Sequence, residues 1–506
     1  MDIWTNMLIG FDTALTPTNL AYCFFGVFLG TFFGVLPGIG SLAAVTMLLP
    51  ITFYLDPTTA LVMLAGVYYG AEYGGSTSSI LLNLPGTPSN AVTCLDGYPM
   101  TQQGRAGVAL FATTIASFMG GTIGIIALYA LAPLIVQWAL AFGPAEYFAI
   151  MLFGLVAAAT VTQDAPAKGL AMVVLGMALG TVGADIDSGV ARFNHGYFEL
   201  RDGISFIALA MGLFGVSEMI LSISTRVNKP FIQKVTFRSM IPTRDEARRS
   251  GMPVLRGAGI GGFFGALPGT GPSIATFISY AVEKRLSKNP ERFGKGAIEG
   301  VMAPESANNA AVQAAFIPTM TLGIPGSATM AVMMGALLIH GIAPGPQLMT
   351  NNPEIFWGLA ASFWIGNVLL LMLNIPLIGM WIRLLKIPYG LLYPAVICFI
   401  CIGVYTVRTS VFDIYLVLLF GLMGYVLRLL RFELAPILIG FILGPMVEEN
   451  FKRAMLIFRG DFTKMLERPI SGTLLAMTVL LLLWTAWTMV RAKRKAPRHL
   501  IGEGDD

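Results

Sequence analysis

"FFGALPGTGPS" at residues 263–273 reads badly as part of a continuous membrane helix, with two prolines, three glycines and two hydroxyls in eleven positions. It nevertheless sits between apolar runs. Earlier in the chain comes "FFGVLPGIGSL", and Phe32–Gly40 matches Phe263–Gly271 at seven of nine positions. Inside a bilayer every backbone amide and carbonyl needs a partner. A proline and glycine break is tolerated only where the freed groups face protein, a ligand or a water-filled cavity. A repeated break is therefore a candidate binding site.

The rest of the sequence supplies the membrane. Of 506 residues, 55% are hydrophobic and only 12% charged, about half the charge of ordinary soluble domains. Residues 13–55, 106–145 and 306–353 contain no Asp, Glu, Lys or Arg, and each block is longer than the roughly 20 residues one crossing needs. The expectation is an all-α polytopic protein with roughly ten to thirteen crossings, besides re-entrant or broken helices at the midplane. The N-terminus lacks a basic region ahead of its apolar run, so the first segment is read as a retained span. No Lys or Arg precedes Arg105; basic residues collect in 226–256, 284–295, 451–468 and the tail at 491–499. The connector and tail are assigned to the cytoplasm. The basic stretch 451–468 is assigned to an amphipathic segment at the interface.

A second pair of breaks follows the first: "NLPGTPSNA" at 83–91 and "GIPGSATMA" at 323–331. Between the breaks lies an acid in apolar surroundings, Glu72 in "YYGAEYGGSTSS" and Glu305 in "APESANNAA". A carboxylate there costs about 2.5–3.5 kcal/mol on insertion scales, which makes it a functional candidate. The recurring order predicts two internal repeats, inverted in topology: residues 1–225 and 257–450. Residues 226–256 are the basic connector, and 451–506 hold the interfacial segment, a last helix and the tail. Half-helices meeting at the breaks would aim amides at an anion, while freed carbonyls could hold a cation. Substrate candidates are Pro37, Gly38, Gly40, Thr87, Ser89, Asn90, Gly269, Thr270, Gly271, Ser273, Asn308, Asn309, Gly326, Ser327 and Thr329. Cation coupling falls to Glu72, Glu305 and Ser306, with a possible sodium position near Pro37, Gly38, Pro268 and Gly269. On a helix, Asn308 and Asn309 would share a face with Glu305.

Other chemistries find little support. The Cys398/Cys401 pair has no second pair to complete a zinc site. Neither a nucleotide phosphate loop nor a hydrolase or zinc-protease motif occurs, so no enzyme, ATP-driven pump or resident cofactor is expected. A channel using the breaks as a filter remains the alternative.

Together "FFGVLPGIG", "NLPGTPSNA", "GPAEYFAIMLFGL" (143–155), "FFGALPGTGPS", "APESANNAA", "TLGIPGSATMAV" (321–332) and "ILGPMVEENFKRAM" (442–455) resemble the large membrane subunit of the tripartite tricarboxylate transporters, over roughly residues 18–470. The resemblance implies a bacterial inner-membrane secondary transporter for a di- or tricarboxylate such as citrate, driven by sodium or protons. It also implies two partners, a small membrane subunit of about four spans and a periplasmic binding protein, and no role for nucleic acid.

Overall fold

A computed structural model describes residues 3–160, 166–185, 188–223, 237–385 and 389–495. Part of the basic connector (226–236) and the tail beyond 495 fall outside these. Among the described residues the regular structure is helical apart from one short antiparallel pair, β1 (Gly183–Ala184) with β2 (Ala191–Arg192), a departure from the purely α expectation. It forms two compact units that do not follow the expected halves: residues 1–141 with 181–430, and residues 142–180 with 431–506.

The first unit begins with α1 (Ile3–Ala14), α2 (Pro17–Val35), α3 (Gly40–Thr52), α4 (Pro57–Leu82), α5 (Ala91–Gln102) and α6 (Ala106–Ala139). Local chemistry sets several of these ends. The Asp56 carboxylate accepts from Thr58 N at 3.1 Å and Pro57 opens α4; the missing proline N–H would be orphaned there anyway. At the other end Asn83 turns left-handed, at φ 57°. α2 stops where Gly38 (φ 89°) and Gly40 (φ 69°) turn the chain into α3.

What lets α2 lie along α4 is a glycine every fourth residue. A Cβ on Gly26, Gly30 or Gly34 would stand 2.2–2.4 Å from the carbonyl oxygens of Met63, Val67 and Ala71. Small residues at this spacing permit backbone-to-backbone approach. The same contact recurs later in the unit, between α11 (Arg244–Gly265) and α13 (Glu299–Ala314). There Gly257, Gly261 and Gly265 meet the carbonyls of Ala303, Ala307 and Ala311 at 2.1–2.4 Å. α12 (Gly271–Leu286) intervenes, after a turn at Gly269 (φ 80°) and Gly271 (φ 62°). α6 completes the packing on α13 with Gly120 and Gly124.

Between these sets run α9 (Phe206–Ala210) and α10 (Ser217–Ile223), joined by one π-helical stretch. After α13 come α14 (Phe316–Leu322), α15 (Ala328–Ile339), α16 (Pro346–Asn351), α17 (Pro353–Asn374), α18 (Ile378–Leu384), α19 (Tyr389–Arg408) and α20 (Val411–Leu429). α14 ends at left-handed Gly323 (φ 71°). Glu218 on α10 and Arg428 on α20 pair with each other.

The second unit packs α7 (Pro144–Thr160) and α8 (Pro166–Gly180) with α21 (Ala435–Ile457), α22 (Thr463–Glu467) and α23 (Pro469–Lys495). Buried Glu146 pairs with Arg468 at 2.6 Å and accepts the Gly143 amide at 2.9 Å. The basic stretch expected as one interfacial helix is split. Its first part continues α21, with i,i+4 pairs Glu448–Lys452 and Glu449–Arg453, and only α22 is separate.

Among the described residues five helices could cross a membrane by length and composition: α2, α6, α17, α20 and most of α23. Six shorter apolar helices accompany them. The long apolar blocks thus hold fragments as well as full spans, because the breaks cut them.

The glycine contacts give a direct test. Gly30→Val and Gly261→Val should each cost at least about 1–3 kcal/mol by overpacking, read as a lowered melting temperature in detergent. Gly259→Ala, on the same α11 with nothing within 4 Å of its Cβ position, should leave melting unchanged or raise it.

Candidate functional site

All four breaks lie in the first unit, and within each set the two breaks touch. A Cβ on Gly86 would meet Gly34 O at 2.3 Å, and one on Gly326 would meet Gly265 O at 3.2 Å. Gly269 N donates to Gly326 O at 3.1 Å, and Gly86 N to Gly75 O at 3.4 Å. The sets also interlock. The Pro88–Asn90 turn packs on α12, and α15 packs on α3.

At this junction sit the two acids, both buried, at 2% exposure for Glu72 and 1% for Glu305. Glu72 Oε1 accepts from Ser41 Oγ at 2.7 Å. Its Oε2 accepts from Thr87 Oγ1 at 2.9 Å, Asn308 Nδ2 at 3.1 Å and Ser89 Oγ at 2.5 Å. Glu305 Oε1 takes Asn90 Nδ2 at 3.1 Å and the Thr93 hydroxyl; its Oε2 takes Ser76 Oγ at 2.7 Å and Ser117 Oγ at 3.3 Å. Thr87 Oγ1 stands 2.6 Å from Asn90 Oδ1. One chain of contacts therefore runs Glu72, Thr87, Asn90, Glu305.

Among the described residues no basic side chain bonds either acid. α4 packs against α2, α3, α5, α6, α13, α15 and α17, none of which contains Lys, Arg or His; α13 also packs on α11 and α12, where Arg256 pairs with Glu283 instead. Neutral donors alone solvate two buried carboxylates, an arrangement held together by hydrogen bonds to charge rather than ion pairing. Among the described residues no cluster of His, Cys, Asp and Glu could hold a metal ion.

The expected site residues divide. Thr87, Ser89, Asn90 and Asn308 are brought onto the acids. Asn309 is not: its Nδ2 returns to Glu305 O on its own helix at 3.2 Å. The expected shared face of Glu305, Asn308 and Asn309 thus serves three destinations, because Asn308 reaches across to α4. Ser306 Oγ bonds Val254 O at 2.8 Å and ties α13 to α11. Thr270 Oγ1 caps its own break through Phe264 O and Leu267 O, and Ser327 Oγ caps α15 at Met330 N. Thr329 and Gly326 are buried beside the second break. Pro37 is buried, while Gly38, Gly40, Pro268, Gly269 and Ser273 are half-buried and line the first pair of breaks.

Nor are the two acids counterparts. The glycine contacts set Ala71 against Gly34 and Ala311 against Gly265, and fourteen residues separate Ala71 from Pro85 and Ala311 from Pro325 alike. On that register Glu72 corresponds to Val312, and Glu305 to Ala65. Thr87 and Ser89 correspond to Ser327 and Thr329, whereas Asn90 and Thr93 correspond to Met330 and Met333.

Several participants went unread in the sequence. Ser76 follows Glu72 by four residues and Thr93 follows Asn90 by three, so helical spacing contained both. Ser117 carries no such signal. Asp96, fully buried, was also missed. Its Oδ1 accepts the amides of Gly294, Gly296 and Ala297 at 2.8–2.9 Å, and its Oδ2 the Tyr280 hydroxyl at 2.9 Å. A carboxylate on α5 thereby neutralises the amide end ahead of α13, one and two helical turns from Thr93 and Asn90.

Asp96→Ala should remove that anchor and lower stability by about 1.5–3 kcal/mol, the range for hydrogen bonds to charge. Thermal melting in detergent measures it, and Asp96→Asn should fall between.

Residues 20–439 match the model of the tripartite tricarboxylate transporter TctA family. The chain is 47% identical over 494 residues to an uncharacterized 52.8 kDa protein in the TAR-I ttuC' 3'region of Agrobacterium vitis, covering 98% of each. A second Agrobacterium vitis protein, uncharacterized, in the TAR-II ttuC' 3'region, is 50% identical over 234 residues, 46% of this chain and 97% of its own length. No solved structure matches. With a family match over most of its length and several apolar helices, the chain is a multi-pass membrane protein and belongs to the tripartite tricarboxylate transporter TctA family.

Proposed function

We propose that this chain is the large permease of a three-part system that takes up a small di- or tricarboxylate across the bacterial inner membrane, coupled to a cation. Its partners are a periplasmic binding protein and a small membrane subunit. The observation that carries this reading is the pair of buried carboxylates joined through Thr87 and Asn90 with no basic side chain nearby. Buried acids without counter-charge are the signature of an ion pathway in membrane proteins. A fixed buried guanidinium would grip a multiply charged anion, and its absence suits a carrier that must release what it binds.

In this reading the two sets of helices are copies of one repeat. Support comes from the shared glycine register, the equal spacing to the second break and the left-handed residues at Asn83 and Gly323. Since Thr87, Ser89, Asn90 and Asn308 are engaged by the acids, the substrate falls to the half-buried turns at Gly38–Gly40 and Gly269–Gly271 with Ser273. The N-terminal ends of α3 and α12 supply positive potential there. Sodium or a proton provides the driving force, and the binding protein contributes to substrate choice.

Labelled carboxylates in proteoliposomes holding the membrane subunits test this. Accumulation above equilibrium should require the binding protein and an imposed sodium or proton gradient. Gradient-independent equilibration would instead identify a channel or uniporter.

A further inference from the structure

The two acid cages differ in how many hydrogens they contain. Around Glu305 five contacts are made, by Thr93, Ser76, Ser117 and, to both Glu305 and Ser76, Asn90 Nδ2. Three hydroxyl hydrogens and the two amide hydrogens of Asn90 supply one each. Glu305 can remain ionised there with every contact satisfied.

Around Glu72 the count fails. Four oxygen–oxygen contacts lie within hydrogen-bonding distance: Glu72 Oε2 to Thr87 (2.9 Å) and to Ser89 (2.5 Å), Thr87 to Ser89 (2.7 Å), and Thr87 to Asn90 Oδ1 (2.6 Å). Only two hydrogens, those of Thr87 and Ser89, are available for them; Ser41 spends its own on Oε1. Two contacts would be lone pair against lone pair. A separate atom shows the same shortage. Asn308 is completely buried, its Nδ2 rests on Glu72, and its Oδ1 has no hydrogen-bond partner. A buried acceptor left without a donor costs about 1–3 kcal/mol, and this one belongs to the residue touching Glu72. The centre is rich in acceptors and poor in hydrogen.

We infer that Glu72 and Glu305 share one exchangeable proton, held on Glu72 in this conformation, and that the orientation of the Asn90 amide decides which acid holds it. This rests on the transport reading above and specifies its coupling ion. A proton on Glu72 Oε2 donates to Thr87, Thr87 donates to Asn90 Oδ1, and Ser89 donates to Glu72, which leaves one contact bare instead of two. Turning the Asn90 amide over presents its NH2 to Thr87 and its carbonyl to Glu305. Glu305 must then hold the proton itself, and the turn sacrifices only the Asn90–Ser76 bond.

Charged groups on α11 and α12, which also pack on α13, are engaged elsewhere or exposed: Arg256 pairs with Glu283, Arg249 with Glu299 and Asp245, and Glu246 with Arg105, while Arg244, Arg248, Lys284 and Arg285 are exposed. Tyr68 precedes Glu72 by one helical turn on α4, and the Tyr73 hydroxyl donates to Asn367 Oδ1 at 2.9 Å. Of the other acids on the packed helices, Asp96 is held by backbone amides and Glu299 by Arg249, while Glu354 lies in the first turn of α17. On release the proton leaves the Glu72 carboxyl for water, and two carboxylates remain.

Infrared spectroscopy of the full-length protein in lipid bilayers, titrated with pH, reads this directly. Wild type should show one protonated-carboxyl band with a single midpoint. Glu72→Gln and Glu305→Gln each remove the like-charged neighbour, so each should move the remaining acid's midpoint to lower pH by more than about one unit. A band whose midpoint survives in either variant means independent acids and overturns the inference; so does a wild type with no such band. If the Gln variants fail to fold, Ser89→Ala and Thr93→Val each delete one donor to a different acid. Both should shift the same wild-type midpoint, and a shift in only one overturns the proposal. Because no uptake is measured, failure of the transport reading would leave this result intact.

Discussion

The junction depends on backbone packed directly against backbone. Gly26, Gly30 and Gly34 on one side, and Gly257, Gly261 and Gly265 on the other, admit no side chain between α2 and α4 or between α11 and α13. That approach fixes the height of each break relative to the helix it packs on, and so brings Gly86 onto Gly34 and Gly326 onto Gly265. With the breaks held there, hydroxyls on the Thr87–Thr93 segment meet carboxylates on α4 and α13. If the helices stood farther apart, the acids would lose the neutral donors that make their burial tolerable.

Asp96 extends the same logic along α5. It fastens the helix to the amides before α13, while Thr93 and Asn90 fasten it to Glu305 higher up. Three successive levels of one helix thus carry hydrogen bonds to the element that bears the second acid. The polar centre is built across two sets of helices, with each acid completed by residues from elsewhere in the chain.

Much of this was legible in the sequence, for identifiable reasons. Proline and glycine breaks stand out because their backbone consequences are local, and a carboxylate in an apolar run stands out because its burial is expensive. The apolar blocks gave helices, but not their number, since hydropathy cannot distinguish a span from two fragments meeting at a turn. Reading the acids as counterparts followed motif order, whereas the register is set by glycine contacts, and nine additional residues in the second set lie before α13. Asn309 and Ser306 have the composition of site residues, yet they bond back to helix carbonyls, a choice made by packing alone. Ser117 is one hydroxyl on a long apolar helix, and nothing short of the fold sets it against Glu305. The grouping of α7 and α8 with α21 to α23 rests on long-range contacts that no local pattern announces.

Correspondence between the two hairpins ends at Asn90 and Thr93, where the second carries Met330 and Met333, both fully buried. Hydrogen bonds to carboxylates have direction and break abruptly when their partners shift. Thioether chains have three rotatable bonds and polarizable sulfur, and they keep contact over a range of positions. The first hairpin is therefore clamped and the second cushioned. No hydrogen-bond partner named for either acid lies on α15, so the contacts of that helix at the junction carry no directional bond to the carboxyl groups.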